Sequence, residues 1–220
     1  MIAPRLLLFC LLPVFSGCQS FPWTTPAPTK PTERLQGLIT QQADGLRFTS
    51  CQGKRNLDLV DSSATGLVDD VHALAGGSGA PLFADVRGTL ISEGDGGRLH
   101  LSKVYRLQTE GPACDDSAFA ESMLRARGHD QDWSVKISTR GLLLEREGQS
   151  PIALPFLEEQ LPGGQTSFSS EANDARLDLW VAPQRCLDSA TGTVTHLTAE
   201  LRMDGQTFRG CGYYGGARQD

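Results

Sequence analysis

The chain has 220 residues, a formal net charge of −6, 21% charged and only 7% aromatic side chains, and 24 glycines. That length supports one large domain or two small ones with a real core. The acidic balance argues against nucleic acid or an anionic lipid surface as a partner held by charge.

Met1 to Arg5 gives a short positive start, and Leu6 to Phe15 is an apolar run of the length a secretory signal needs. It is too short to cross a bilayer as a permanent helix. Phe15-Ser16-Gly17-Cys18 then sets small residues at the two positions before a cysteine. This resembles the lipobox read by bacterial lipoprotein signal peptidase, with Phe15 where that pattern usually has Leu. The resemblance implies a signal peptide over residues 1–17 and lipid on Cys18: a diacylglyceryl thioether plus an amide-linked acyl chain, three chains where one anchors only marginally. The mature chain then has 203 residues and a charge of −7, since Arg5 leaves with the signal. Gln19 replaces the Asp that, by the same resemblance, favours inner-membrane retention, and so points to the periplasmic side of the outer membrane. The alternative is an ordinary signal peptide cleaved near Gly17 with Cys18 free. Cys10 follows bulky Phe9 and reads as an apolar residue of the signal core.

Residues 18–33 are rich in Pro and Thr and lack apolar periodicity, which predicts a stiff, extended tether. Phe21 and Trp23 are either headgroup contacts or solvated linker residues. From Arg34 the pattern changes to short strands at 34–40, 45–50 and 54–60. A helical period follows at Leu67, Val71, Leu74 and Ala75, ended by Gly76-Gly77, and then strands at 81–91 and 98–107. Leu82, Ala84, Val86 and Leu90 share one face of the first of these, and Leu99, Leu101, Tyr105 and Leu107 one face of the second. Strand-strand-strand-helix-strand-strand is the element order of an OB-type barrel, here over 34–112.

Gly111-Pro112 ends that module. In the second, 113–216, Asp115 or Asp116 is expected to cap a helix with Phe119, Met123 and Leu124 as its apolar stripe and Gly128 as its stop. Strands are expected at 132–138 (Trp133, Val135 and Ile137 inward), 142–147, 175–181 (Leu177, Leu179 and Val181) and 194–211, with a long loop over 151–173 and a tail at 217–220. The fold class is thus mainly β with two short helices: an OB-like five-stranded barrel followed by a second small β-rich module. No internal repeat is evident.

Setting aside Cys10 and Cys18 leaves Cys51, Cys114, Cys186 and Cys211, an even number that reads as two disulfides in an oxidising compartment. Metal binding is the weaker reading, because there is no Cys-x-x-Cys and no paired His. Asp204-Gly205 is a strong two-residue hairpin turn that sets Met203 opposite Gln206, Leu201 opposite Phe208 and Glu200 opposite Arg209. Leu197, Ala199, Leu201 and Phe208 then face the core, and Cys211 lies on the other face opposite Thr198. Pro183 frees the segment around Cys186 to cross that outer face. Of three connectivities this favours Cys186 with Cys211 and Cys51 with Cys114, each bond closing within one module.

Gly128-His129-Asp130-Gln131-Asp132-Trp133 and Cys186-Leu187-Asp188-Ser189-Ala190-Thr191-Gly192, the latter followed by Phe208-Arg209-Gly210-Cys211, carry a further likeness. They resemble an uncharacterised family of proteobacterial envelope lipoproteins and predicted membrane proteins. Its members have Gly-x-Glu-Pro-x-Trp opening a strand and Cys-x-Asp-Ser-Met-Ser-Gly before a strand pair ending in Gly-Cys. This chain lacks the proline and has Ala190 for the methionine. The first half more loosely resembles the OB-like module of NlpE-type envelope lipoproteins, which are associated with stress sensing and copper tolerance. Their Cys-x-x-Cys is missing, so no copper role carries over.

No catalytic residue, metal site or cofactor is expected. Gly76-Gly77-Ser78-Gly79-Ala80 nearly spells the Gly-x-Ser-x-Gly nucleophile turn, but the last position fails and the helix precedes it. Asp69, Asp70 and His72 read as solvated charge on a helix, and His100, His129 and His196 as surface histidines. Glu145-Arg146-Glu147 and Glu158-Glu159 put adjacent residues on opposite strand faces, so neither pair shares a substrate. A barrel with few aromatics and no basic run does not fit nucleic acid. The sequence therefore leads to a non-enzymatic, lipid-anchored periplasmic protein with a binding, assembly or stress-related role and an envelope protein as its partner. The alternative is a periplasmic enzyme inhibitor or small-ligand binder.

Overall fold

A computed structural model of the protein describes residues 31–76, 79–93, 96–129, 132–172 and 175–218. Five strands and one helix open the first layer in the expected order. They are β1 (Thr32–Gln42), β2 (Gly45–Ser50), β3 (Asn56–Val60), α1 (Leu67–Ala75), β4 (Leu82–Glu93) and β5 (Gly96–Gln108). β1 pairs with β2 and with β4, β2 with β3, β3 with β5 in parallel, and β5 with β4, which closes a five-stranded barrel. The parallel β3–β5 pair is possible because the helix intervenes between them, as parallel neighbours need a crossover. Leu67, Val71 and Ala75 of α1 pack with Ile39, Phe48 and Leu99 in the barrel core. Gly76 ends the helix at φ 51°, a left-handed cap that glycine takes without a Cβ penalty.

One inward assignment fails. Along the β4–β5 ladder Asp85 faces Arg106 and Val86 faces Val104, so Tyr105 is an unpaired extra residue. A bulge of this kind re-aims its side chain. Tyr105 is buried but lies under the Arg34 guanidinium, 3.7 Å from its ring centre, rather than among the barrel's apolar residues.

The second layer is built from β6 (Ser122–Gly128), β7 (Trp133–Ser138), β8 (Gly141–Arg146), β9 (Ile152–Leu154), β10 (Leu157–Gln160), β11 (Thr166–Ala172), β12 (Ala175–Ala182), β15 (Leu197–Met203) and β16 (Gln206–Tyr214). They form one curled nine-stranded sheet in the order β10-β11-β12-β15-β16-β6-β7-β8-β9. Leu124, Val135, Phe168, Leu179 and Leu201 belong to its single core. The remaining strands, β13 (Cys186–Leu187) and β14 (Val194–Thr195), leave this sheet, and β14 pairs with β5 at the barrel's edge. Residues later than 112 thus contribute two strands to the first sheet.

Two expectations are corrected. The helix foreseen after Asp115 is a run of turns leading into β6, so α1 is the one α-helix among the described residues. Ser122, Leu124, Ala126 and Gly128 are buried at period two, and Asp116 holds Arg125 by two hydrogen bonds of 2.6 and 3.0 Å instead of capping a helix. The loop foreseen over 151–173 contains β9, β10, β11 and a 3-10 turn at Pro162–Gly164. β11 buries Thr166, Phe168 and Ser170, an alternation hidden because two of its inward residues are polar. Among the described residues no helix is long and apolar enough to cross a membrane.

Candidate functional site

The two disulfides join Cys51 to Cys114 and Cys186 to Cys211. The first pins the link between β5 and β6 to the end of β2. The second belongs to a strap, residues 183–195, that is fastened on both sides. Its Arg185 pairs with Asp70 of α1, Cys186 is bonded across to β16, and β14 hydrogen-bonds to β5. The β15–β16 register has Met203 opposite Gln206, Leu201 opposite Phe208 and Thr198 opposite Cys211, with Asp204 and Gly205 both at positive φ. Neither bond closes within one module: Cys114 lies past residue 112 in the link to β6, and Cys186 lies on a strand of the first sheet, so its bond joins the two sheets. Cys18 and Ser78 lie outside the described residues.

The two sequence motifs meet in space. In the Cys186–Gly192 motif Asp188 closes the β13–β14 loop. Its Oδ1 accepts from the backbone N–H of Ala190 at 3.0 Å and of Thr191 at 3.4 Å. Its Oδ2 lies 2.9 Å from His129 Nε2 in the β6–β7 turn. His129 Nδ1 in turn lies 3.1 Å from Asp132 Oδ1. Each ring nitrogen thus faces a carboxylate. His129 is therefore a fastener between motifs rather than a surface histidine.

The glycines of both motifs have a shared cause. A Cβ on Gly128 would sit 2.3 Å from Arg209 O and 2.5 Å from Trp133 Nε1, so the indole lies directly over the glycine. One on Gly210 would sit 1.9 Å from Arg127 O. The β6 backbone and the Gly210-Cys211 step approach too closely for any side chain between them, a recurrent use of strand glycine.

Burial pushes the Asp188 carboxyl up, but the hydrogen bonds from His129, Ala190 and Thr191 outweigh it and hold it below its ordinary value. A depressed carboxyl contributes stability that is present above its unfolded value and lost as pH falls through the folded one. Asp188→Asn should thus be about 1–2 kcal/mol less stable than wild type near neutrality. The gap should close below about pH 4. Urea unfolding of both proteins across that range checks it, and a gap that stays constant down to about pH 3 would refute the assignment.

The remaining candidates are scattered. Asp70 is taken up by Arg185, and His72 Nδ1 by Gln41 at 3.1 Å, so the Asp69, Asp70 and His72 group does not converge. His196 is not a surface residue. It packs against the rings of Tyr105 and Tyr214 with centroids 4.9 and 5.2 Å away, and its Nδ1 lies 3.0 Å from Tyr105 O. Glu145 is held below its ordinary value by hydrogen bonds from Lys136 and Ser134, and Glu158 pairs with Arg218. Among the described residues no set of three His, Cys, Asp or Glu side chains is arranged to hold a metal.

What the sequence did not disclose is a cleft of about 780 Å3 beside the His129–Asp188 contact, with Arg106, Arg125, Trp133, Thr195 and Tyr213 among its walls. Its residues come from the barrel, the strap and the second sheet alike. A second cleft, about 630 Å3, shares His129, Asp188 and Cys211 with the first and carries the partly exposed Trp180 and Leu187. Cavities of this size suit small ligands. No family model, curated protein or solved structure matches the chain.

Proposed function

We propose that the protein is a lipoprotein of the bacterial envelope, anchored by lipid on Cys18 at the periplasmic side of the outer membrane, with a non-enzymatic binding, assembly or stress-related role. The observation that carries this reading is the use of the cysteines. All four in the folded body are paired in disulfides, which persist in oxidising compartments. Cys18 then stands at the end of an apolar signal-like run behind Ser16-Gly17. The resemblance of the Cys186 and Gly128 motifs to envelope lipoproteins agrees with it. So does a His129 whose two nitrogens are both occupied.

A second reading, a periplasmic inhibitor or small-ligand binder on the same scaffold, is favoured by the cleft of about 780 Å3. Metabolic labelling with a palmitate analogue is expected to tag the wild type and leave Cys18→Ser unlabelled. Equal labelling of the two would sink the lipoprotein assignment. Crosslinking in the envelope then separates the readings, since an envelope assembly partner favours the first and a soluble hydrolase the second.

A further inference from the structure

Where β4, β5, β6 and β16 meet, the buried charges do not balance. Three arginines, Arg34, Arg106 and Arg125, stand with two aspartates, Asp85 and Asp116. Asp85 is fully buried and gives both oxygens to Arg34, at 2.8 and 2.7 Å. Asp116 gives both of its own to Arg125, at 2.6 and 3.0 Å. Among the described residues Arg106 is left without a carboxylate although it is only 2% exposed. Its Nη1 donates to Tyr213 Oη at 2.8 Å, its guanidinium lies over the rings of Phe83 and Tyr213, and its Nε and Nη2 have no hydrogen-bond partner among the described residues.

Buried charges are ordinarily paired, because an isolated one forfeits its hydration with nothing in return. Burial accordingly pushes the Arg106 guanidinium below its ordinary range, against the pull of Tyr213, Asp85 and Asp116. Arg106, Arg125 and Tyr213 all line the cleft. Tyr213 Oη is approached by both Arg106 Nη1 and Arg125 Nη1, the latter at 3.5 Å. Its own proton has no acceptor among the described residues and is free to be donated.

We propose that this cleft binds a small molecule ending in a carboxylate, whose oxygens take the place of the missing aspartate beside Arg106, with Tyr213 as a further donor. The exposed Glu110 and Glu147 on the same cleft select against polyanions and leave room for a cationic group elsewhere on the ligand. A zwitterion of short-peptide size fits both features. The proposal rests on the reading of this chain as a binding protein, and specifies for it the chemistry of the ligand.

The test uses the full chain in detergent at constant ionic strength, with three probes: the dipeptide alanyl-alanine, its C-terminal amide, and inorganic phosphate. Calorimetry is expected to show binding of the dipeptide at least tenfold tighter than of the amide or of phosphate. Dipeptide affinity should fall at least tenfold in Arg106→Met and in Tyr213→Phe. Without ligand, Arg106→Met should melt no lower than wild type, because it removes a buried charge that no carboxylate pairs with directly. Should that variant fail to fold, Tyr213→Phe and the Arg106 Nε–H resonance of the wild type, expected to move on dipeptide addition alone, decide the matter. Equal affinity for dipeptide and amide, phosphate binding as tight as the dipeptide, or an unmoved Arg106 resonance would each overturn the proposal. Labelling at Cys18 is unaffected by any of these results, so failure of the carboxylate site and failure of the lipoprotein reading are told apart.

Discussion

Replacing Arg34 with alanine should cost the fold about 3–5 kcal/mol, the range for breaking a buried ion pair by removing one partner. Arg34 lies on β1 with its side chain 13% exposed, and Asp85 beneath it is completely buried. Alanine would strand that carboxylate with, among the described residues, a single hydrogen bond remaining, from Gln36 at 3.5 Å. The same guanidinium also donates to Tyr214 O at 2.6 Å and Gly215 O at 3.0 Å, so two backbone acceptors at the end of β16 lose their donor as well. Lysine keeps the charge but not the planar fork, and Arg34→Lys should fall between wild type and alanine. Denaturant unfolding measures the series. The double variant Arg34→Ala/Asp85→Ala should recover part of the loss, because it removes the stranded charge. A single-variant loss below about 1 kcal/mol, the value of an exposed pair, would show that Asp85 finds water instead.

Removal of the disulfides is the second large effect. The Cys51–Cys114 bond spans 63 residues and the Cys186–Cys211 bond 25. The chain-entropy model gives about 4 kcal/mol for the longer closure and about 3.5 kcal/mol for the shorter. Alanine pairs at each site should therefore destabilise the protein substantially, the 51/114 pair by the greater amount if unfolded-state entropy dominates. The reverse order would mean that the strap's attachment to β16 carries energy of its own. A loss below about 1 kcal/mol at both sites would reject the model for this protein.

The barrel was legible because its signals are local. Alternation at 45–50, 81–91 and 98–107 and a 3.6-residue period at Leu67 to Ala75 need only a short window of sequence, and Asp204-Gly205 fixes its hairpin register in two residues. β6 was misread because Phe119, Met123 and Leu124 mimic a helical stripe. The deciding partners, Trp133 across the turn and Arg209 on β16, are distant in sequence or across a hairpin. β11 was missed because its inward Thr166 and Ser170 are polar, and Thr166 lies within 3.2 Å of the Tyr214 hydroxyl. Of the candidate site, the cysteine pairing was readable from hairpin geometry. The contact of His129 with Asp188 spans 59 residues and that of Arg106 with Tyr213 spans 107, and no local pattern marks either.

The strap also bears on the order in which the molecule can be completed. The edge of β5 at Arg106 and Leu107 is covered by Thr195 and Val194, which follow it only after nearly the whole second sheet has been made. A chain growing from its N-terminus therefore holds a barrel that is closed but has an open hydrogen-bonding rim, and such rims recruit foreign strands. Truncation anywhere between β5 and β14 would leave that rim permanently bare. Shortened forms of this protein should accordingly be judged by their tendency to aggregate before any loss of activity is assigned to them.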